Sequence, residues 1–178
     1  MTRRPPRGFS LIELMMALAI LGMLLVLAAP NYASWVADAQ IRAGGESIVG
    51  GMRVAYAEAI KRNQPVEFIL DPATGSGGFT VQLQDGTAIR TDHFGEGAKL
   101  AAFVAAPGGA TTVTFSPLGQ VIANADATAT LTEVAVTFSG ATVNTRPLTV
   151  LVGGGRTGIK LCDPAVTNTA DPRFCTAA

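Results

Sequence analysis

Charge is scarce in this chain. Asp, Glu, Lys and Arg make up 15% of its 178 residues, well under the ~25% of an ordinary soluble domain, and with 48% hydrophobic residues this excludes a disordered, highly charged chain. The 13 basic and 13 acidic residues cancel, so net charge makes no case for a nucleic-acid partner. There is one histidine, His93, and there are two cysteines, without a Cys-x-x-Cys, too few ligands for a zinc site. No Gly-x-Ser-x-Gly occurs, no P-loop lysine follows the glycines at 44 to 51, and His93 has no evident nucleophile. With no catalytic constellation, neither an enzyme nor a cofactor is expected. The 20 glycines and 10 prolines follow no Gly-X-Y period, which rules out collagen and leaves a loop-rich or β-rich body. The length suits one domain of ~100–150 residues with something attached.

What is present begins with a segregation of charge. Arg3, Arg4 and Arg7 stand within the first eight positions, and apart from Glu13 no charge follows until Asp38. A basic head before an apolar run keeps its Arg side in the cytoplasm and sends the rest of the chain outward. Both cysteines then belong to an oxidising compartment. From Leu14 to Ala29 sixteen residues carry no charge; as a helix they cover ~24 Å at ~1.5 Å per residue, enough for a ~30 Å hydrocarbon core only with help from Phe9 to Glu13 and Asn31 to Tyr32. A secretory signal peptide is one account of this pattern. The run is slightly long for it, and Glu13 interrupts its entry at a cost of up to ~3 kcal/mol at mid-membrane, less near an edge.

Arg7-Gly8-Phe9-Ser10-Leu11-Ile12-Glu13-Leu14 resembles the type III signal of type IV prepilins. In that family an inner-membrane prepilin peptidase cuts after the Gly and methylates the new N-terminal Phe, which implies cleavage between Gly8 and Phe9 and N-methylation of Phe9. The family's helix-bending proline has its counterpart in Pro30, twenty-one residues after Phe9. The resemblance also implies a role for Glu13: in a filament of pilins it pairs with the α-amino group of Phe9 on a neighbour. An unpaired buried carboxylate is strongly unfavourable, so this pairing selects one docking register. Without a partner, Glu13 would rest at the headgroup level.

Beyond Pro30 the pattern stays helical and becomes amphipathic. Tyr32, Trp35, Val36, Ile41, Ile48, Met52, Ala55, Tyr56 and Ile60 recur on one broad face, with charges elsewhere, so one long helix is expected from about Phe9 to Arg62. Gly44, Gly45, Gly50 and Gly51 weaken its middle by up to ~1 kcal/mol each, which leaves room for local bending or melting. Tyr32 and Trp35 suit an interfacial aromatic belt equally well. Pro65 then changes the period to two. Val66 to Leu70 and Phe79 to Leu83 form a hairpin with its tip at Asp71 to Gly78, and further short strands follow at Ala88 to His93, Leu100 to Val104, Thr112 to Phe115, Gln120 to Ala123, Leu131 to Phe138 and Pro147 to Val152. The expected fold class is α+β: a pilin fold whose long N-terminal helix packs on an antiparallel β-sheet of six or more strands. Residues 1–8 would be leader, 9–62 helix with its membrane-spanning part at about 9–32, and 63–178 a periplasmic body. Such a chain is a single-pass inner-membrane protein that passes into a periplasmic or extracellular filament.

Within that superfamily the sheet-rich body and Phe115-Ser-Pro-Leu-Gly119 resemble the GspH/FimT/FimU branch of minor pilins and pseudopilins, structural subunits of a type IV pilus or a type II secretion pseudopilus. This implies work in assembly or initiation at the filament tip. The stretch from Gly155 to Pro164 adds to the likeness, since FimT-like members carry a Gly-Arg-x-Arg element before a Cys near the chain end; here Gly158 stands in place of the second Arg. Cys162 and Cys175 enclose twelve residues, and a disulfide between them would pin the tail as a loop on the sheet. From Arg146 onward there are four bases and two acids, against two bases and seven acids from Asn63 to Thr145. Arg156, Lys160 and Arg173 are therefore candidates for weak, salt-sensitive DNA capture, as in FimT-like uptake during transformation, or else solvated surface charges. Gly153 to Gly158 reads Gly-x-Gly-x-x-Gly, yet Ile-Lys-Leu-Cys-Asp-Pro rather than a helix pattern follows it, so it fails as a dinucleotide loop.

Overall fold

In a computed structural model of the chain, which describes residues 8–140, 144–153 and 158–175, the long helix is unbroken: α1 spans Leu11–Arg62. It ends where Asn63 turns left-handed at φ 52°, its N–H donating back to the carbonyl of Ile60. Asparagine is among the few non-glycine residues that tolerate this conformation. Lys61 and Arg62 in the last turn both reach Glu58, at 3.2 and 2.6 Å, and these bonds hold its carboxyl below the usual carboxylate value.

The glycines in the middle of α1 neither melt nor break it. They serve packing. A Cβ at Gly44 would lie 3.0 Å from the Phe103 ring, one at Gly45 2.8 Å from Leu161 Cδ1, and one at Gly51 2.5 Å from Phe79 and 2.8 Å from Phe68. The missing side chains let the sheets approach the helix backbone, which offsets the weak helix propensity of glycine. Gly50 is different, because a Cβ there meets open space. Between these contacts Ala37, Ile41, Ile48, Met52, Ala55 and Ala59 are fully buried. Tyr32 and Trp35, expected on the same face, stay exposed because the body first covers the helix at Ala37, and Ile60 stays exposed in the last turn, beyond buried Ala59.

Among the described residues the body holds nine strands, in two antiparallel sheets rather than one. The first sheet contains β1 (Val66–Asp71), β2 (Gly78–Leu83), β3 (Ala88–His93), β5 (Thr112–Phe115) and β6 (Val121–Ile122) in the order β3-β2-β1-β5-β6. The second contains β4 (Ala101–Ala106), β7 (Glu133–Phe138), β8 (Leu148–Val152) and β9 (Ile159–Cys162) in the order β4-β7-β8-β9. The hairpin of β1 and β2 has the expected register, with Val66 opposite Leu83 and Asp71 opposite Gly78. Strand β9 is one the sequence pattern did not indicate. Both sheets send apolar rows to α1: Val66, Phe68, Leu70, Phe79, Val81, Val113 and Phe115 from the first, and Phe103, Val134, Val136 and Val150 from the second. Phe68 stacks on Phe79 with centroids 5.2 Å apart, and Phe94 on Phe103 at 4.1 Å.

Two local features join these parts. The Phe115-Ser-Pro-Leu-Gly119 segment is the β5–β6 turn, closed by Gly119 N–H on the Ser116 carbonyl at 2.8 Å. Gly119 has φ +74° and abuts the Tyr56 ring, so both backbone and packing require glycine. Buried Asn124 accepts from Thr114 Oγ1 at 2.9 Å and donates to the carbonyl of Thr112 and to Thr128 Oγ1, fixing the chain where it crosses from the first sheet to the second. The tail is closed by a disulfide between Cys162 and Cys175, with Cα atoms 5.2 Å apart.

Two consequences can be measured by urea unfolding of the full chain in detergent. Gly51→Ala should destabilise by ~1–3 kcal/mol through overpacking against Phe68 and Phe79, whereas Gly50→Ala, one residue away, should stabilise by ~0.5–1 kcal/mol; equal effects of one sign would contradict the packing role. Replacing both cysteines by Ser should cost about 3 kcal/mol, the chain-entropy value for a loop of this length, and an unchanged midpoint would show that the loop is held without the bond.

Candidate functional site

The N-terminal end is assembled from a short extended segment and the first helical turn. Ser10 sits at the N-cap in an extended conformation, φ −75° and ψ 146°, and its carbonyl accepts the Leu14 N–H at 3.1 Å. Glu13 lies in the first turn, where the free N–H groups and the helix dipole favour a negative charge. Among the described residues it forms no ion pair. Phe9 is 86% exposed, and the large apolar side chains from Leu11 to Leu27 are each more than half exposed. This half of α1 is long and apolar enough to cross a membrane. At Gly8 a Cβ would meet nothing within 4 Å, so the fold makes no demand for glycine there. Pro30 lies within the helix, which continues through it.

The second cluster lies where the tail meets the helix. Strand β9 runs antiparallel to α1: Leu161 lies against Gly45, Ile159 and Lys160 line a cleft with Glu46, Val49 and Arg53, and Cys162 and Asp163 line one with Asp38 and Arg42. The disulfide loop therefore sits at the end of the body nearest the exposed half of the helix. Inside the loop Asp163 N–H donates to the Arg173 carbonyl at 2.8 Å and Lys160 Nζ to the Phe174 carbonyl at 2.8 Å. Asp171 accepts from the Arg173 guanidinium and from its backbone N–H. The Arg173 side chain above all, then that N–H, holds the Asp171 carboxyl below its usual value. Lys160 and Arg173 are thus engaged in holding the loop, a structural use that their sequence context did not signal; Arg156 lies outside the described residues.

Polar staples tie this end together. Asp38 Oδ1 accepts the Arg146 N–H at 2.8 Å and Gln40 Oε1 accepts the Leu100 N–H at 2.9 Å. These partners are 108 and 60 residues apart, and no local pattern could have paired them. A cleft of about 340 Å³ opens here, lined by Asp38, Arg42, Arg146, Asp163 and Arg173 over the apolar floor of Leu148 and Leu161. Elsewhere, most of the Gly-x-Gly-x-x-Gly stretch, residues 154–157, lies outside the described residues, and strand β9 rather than a helix follows it. His93 is exposed at the end of β3, and among the described residues no three His, Cys, Asp or Glu side chains gather as a metal site would need.

Residues 3–29 match the prokaryotic N-terminal methylation motif, and residues 45–155 match the type II transport protein GspH family. Similar proteins include the type IV major fimbrial protein FimA of Dichelobacter nodosus, 36% identical over 87 residues, which are 49% of this chain and 53% of the relative. Another is the type II secretion system protein H of Xanthomonas campestris pv. campestris, 31% identical over 70 residues, or 39% of this chain and 41% of the relative. The chain thus spans about half the length, or less, of these curated relatives. No solved structure matches it. Pilin and pseudopilin families are structural subunits, not enzymes. With the methylation motif in front of a GspH match that covers well over half of the sequence, the chain belongs to the GspH family of pilin-like proteins.

Proposed function

We propose that this protein is a membrane-inserted prepilin that is cut between Gly8 and Phe9, methylated on Phe9, and built into a filament as a minor subunit. The observation that carries this is the division of α1. From Ala37 to Ala59 one face of the helix is buried in its own body, while the apolar half before it has no cover among the described residues. Such a surface requires either lipid or other helices like itself. Before assembly the apolar half spans the inner membrane with the body on the periplasmic side, as the arginines ahead of Gly8 favour. After assembly it packs among the helices of neighbouring subunits, Pro30 adjusts its course, and Glu13 pairs with the Phe9 amine of a neighbour. That Gly8 is not required by the fold is consistent with a requirement imposed by a peptidase.

The GspH match over the body and the two kinds of relative, fimbrial and secretory, support a type IV pilus or a type II secretion pseudopilus as the machine. A minor subunit with this body fits near the tip, where it would prime the filament. The disulfide loop gives no added support to DNA capture, because Lys160 and Arg173 serve contacts within it.

Glu13→Gln removes the charge at nearly constant volume. It should leave insertion and cleavage intact while reducing co-purification with partner subunits by at least tenfold, as expected when a charge-assisted pair worth ~1.5–3 kcal/mol is lost. Undiminished filament assembly by this variant would remove Glu13 from the docking role.

A further inference from the structure

The cleft beneath the disulfide loop holds charge in an unusual place. Three guanidinium groups, Arg42, Arg146 and Arg173, border it against two carboxylates, Asp38 and Asp163. Each carboxylate accepts one backbone N–H, Asp38 from Arg146 and Asp163 from Ala165, and keeps its charge, so the three arginines leave the lining one positive charge in excess. Arg173 is paired with Asp171. Arg42 and Arg146 are exposed and form no ion pair among the described residues, so their donors remain open to an anion.

The position of the cleft suggests which anion. Tyr32 and Trp35, both 66% exposed with centroids 6.0 Å apart, follow the apolar run and suit the level of lipid headgroups. Arg42 lies seven residues beyond Trp35, about 10 Å along the axis at ~1.5 Å per residue. The headgroup layer adds about 5–8 Å to each side of the hydrocarbon core. Side chains on a helix lean towards its N-terminus, so Arg42 leans towards the bilayer, and an arginine can extend its charged end to that layer. Guanidinium groups bind phosphate oxygens in a two-pronged manner.

We infer that this cleft, through Arg42 and Arg146, binds the phosphate of an anionic phospholipid headgroup while the subunit is still in the membrane. The inference rests on the membrane-spanning state proposed above. Binding here would hold the body against the bilayer surface in one orientation, and entry into a filament would require the subunit to release the lipid.

The full chain is tested in vesicles of phosphatidylcholine alone and of equimolar phosphatidylglycerol and phosphatidylcholine. Trp35 is the single tryptophan, so its quenching by brominated phosphatidylcholine reports insertion independently of headgroup preference. Native mass spectrometry of the extracted protein then reads the retained lipids. The wild type should retain phosphatidylglycerol over phosphatidylcholine, and Arg42→Gln and Arg146→Gln should each reduce that enrichment about fivefold, the equivalent of ~1 kcal/mol per arginine near a charged surface. Arg53→Gln, higher on the helix, should leave it unchanged. Normal Trp35 quenching without enrichment, or with enrichment indifferent to both variants, overturns this inference and leaves the spanning helix standing. Absent quenching overturns both. Two other results also count against it: displacement of the lipid by millimolar inorganic phosphate would make the site one for free anions, and variants that weaken only cross-linking to a neighbouring subunit would assign the arginines to that subunit's carboxylates.

Discussion

The close approach of two β-sheets to one face of a single helix is the constraint on which the rest of the molecule depends. At Gly44, Gly45 and Gly51 the helix presents bare backbone to Phe103, Leu161, Phe79 and Phe68. These contacts set the position of both sheets, because the rings and the leucine come from β1, β2, β4 and β9. They also fix the direction of β9, and with it the place of the disulfide loop at the lower end of the body. Helix propensity is given up locally in exchange for dense packing, and helices in proteins generally draw most of their stability from such tertiary contacts.

The same packing explains why one helix can serve two environments. Its second half is a core element, with one face covered from Ala37 to Ala59, while the first half lies outside the body. From Leu14 to Ala29 the first half carries no charge and exposes its large apolar side chains on every side, as suits a segment surrounded by lipid. Between them lies a short zone with Tyr32, Trp35, Asp38 and Arg42, where aromatic and charged residues replace the apolar run. The staples from Asp38 to Arg146 and from Gln40 to Leu100 anchor the second sheet at this zone, so the body is held at the N-terminal end of the buried part of α1.

Much of this was legible in the sequence, for identifiable reasons. The helix and the hairpin of β1 and β2 follow from hydrophobic periods that local residues set by themselves, and the methylation motif matched over residues 3–29 is contiguous in sequence. The cysteine pair could be read because only one pairing exists. The glycines at 44 to 51 were misleading, since glycine weakens an isolated helix and its benefit here comes from side chains up to 116 residues away, such as Leu161. The division into two sheets was hidden because it is set by which strands pair, such as β4 with β7 and β1 with β5, and alternation within a strand does not name its partner. Strand β9 was missed because Ile159–Cys162 is short and lies beside glycines that read as a loop. The cleft arises from Asp38, Arg42, Arg146 and Arg173, which come together only through the fold.

The state of the N-terminus tests the account most directly. The intact mass of the protein isolated from membranes of cells that contain the prepilin peptidase should correspond to a chain beginning at Phe9 and carrying one added methyl group. The same protein from cells without that peptidase should keep residues 1–8. A mature protein that retained residues 1–8, or one cut near Ala28 and Ala29 as a secretory signal would be, would contradict the assignment of the apolar half of α1 to a filament.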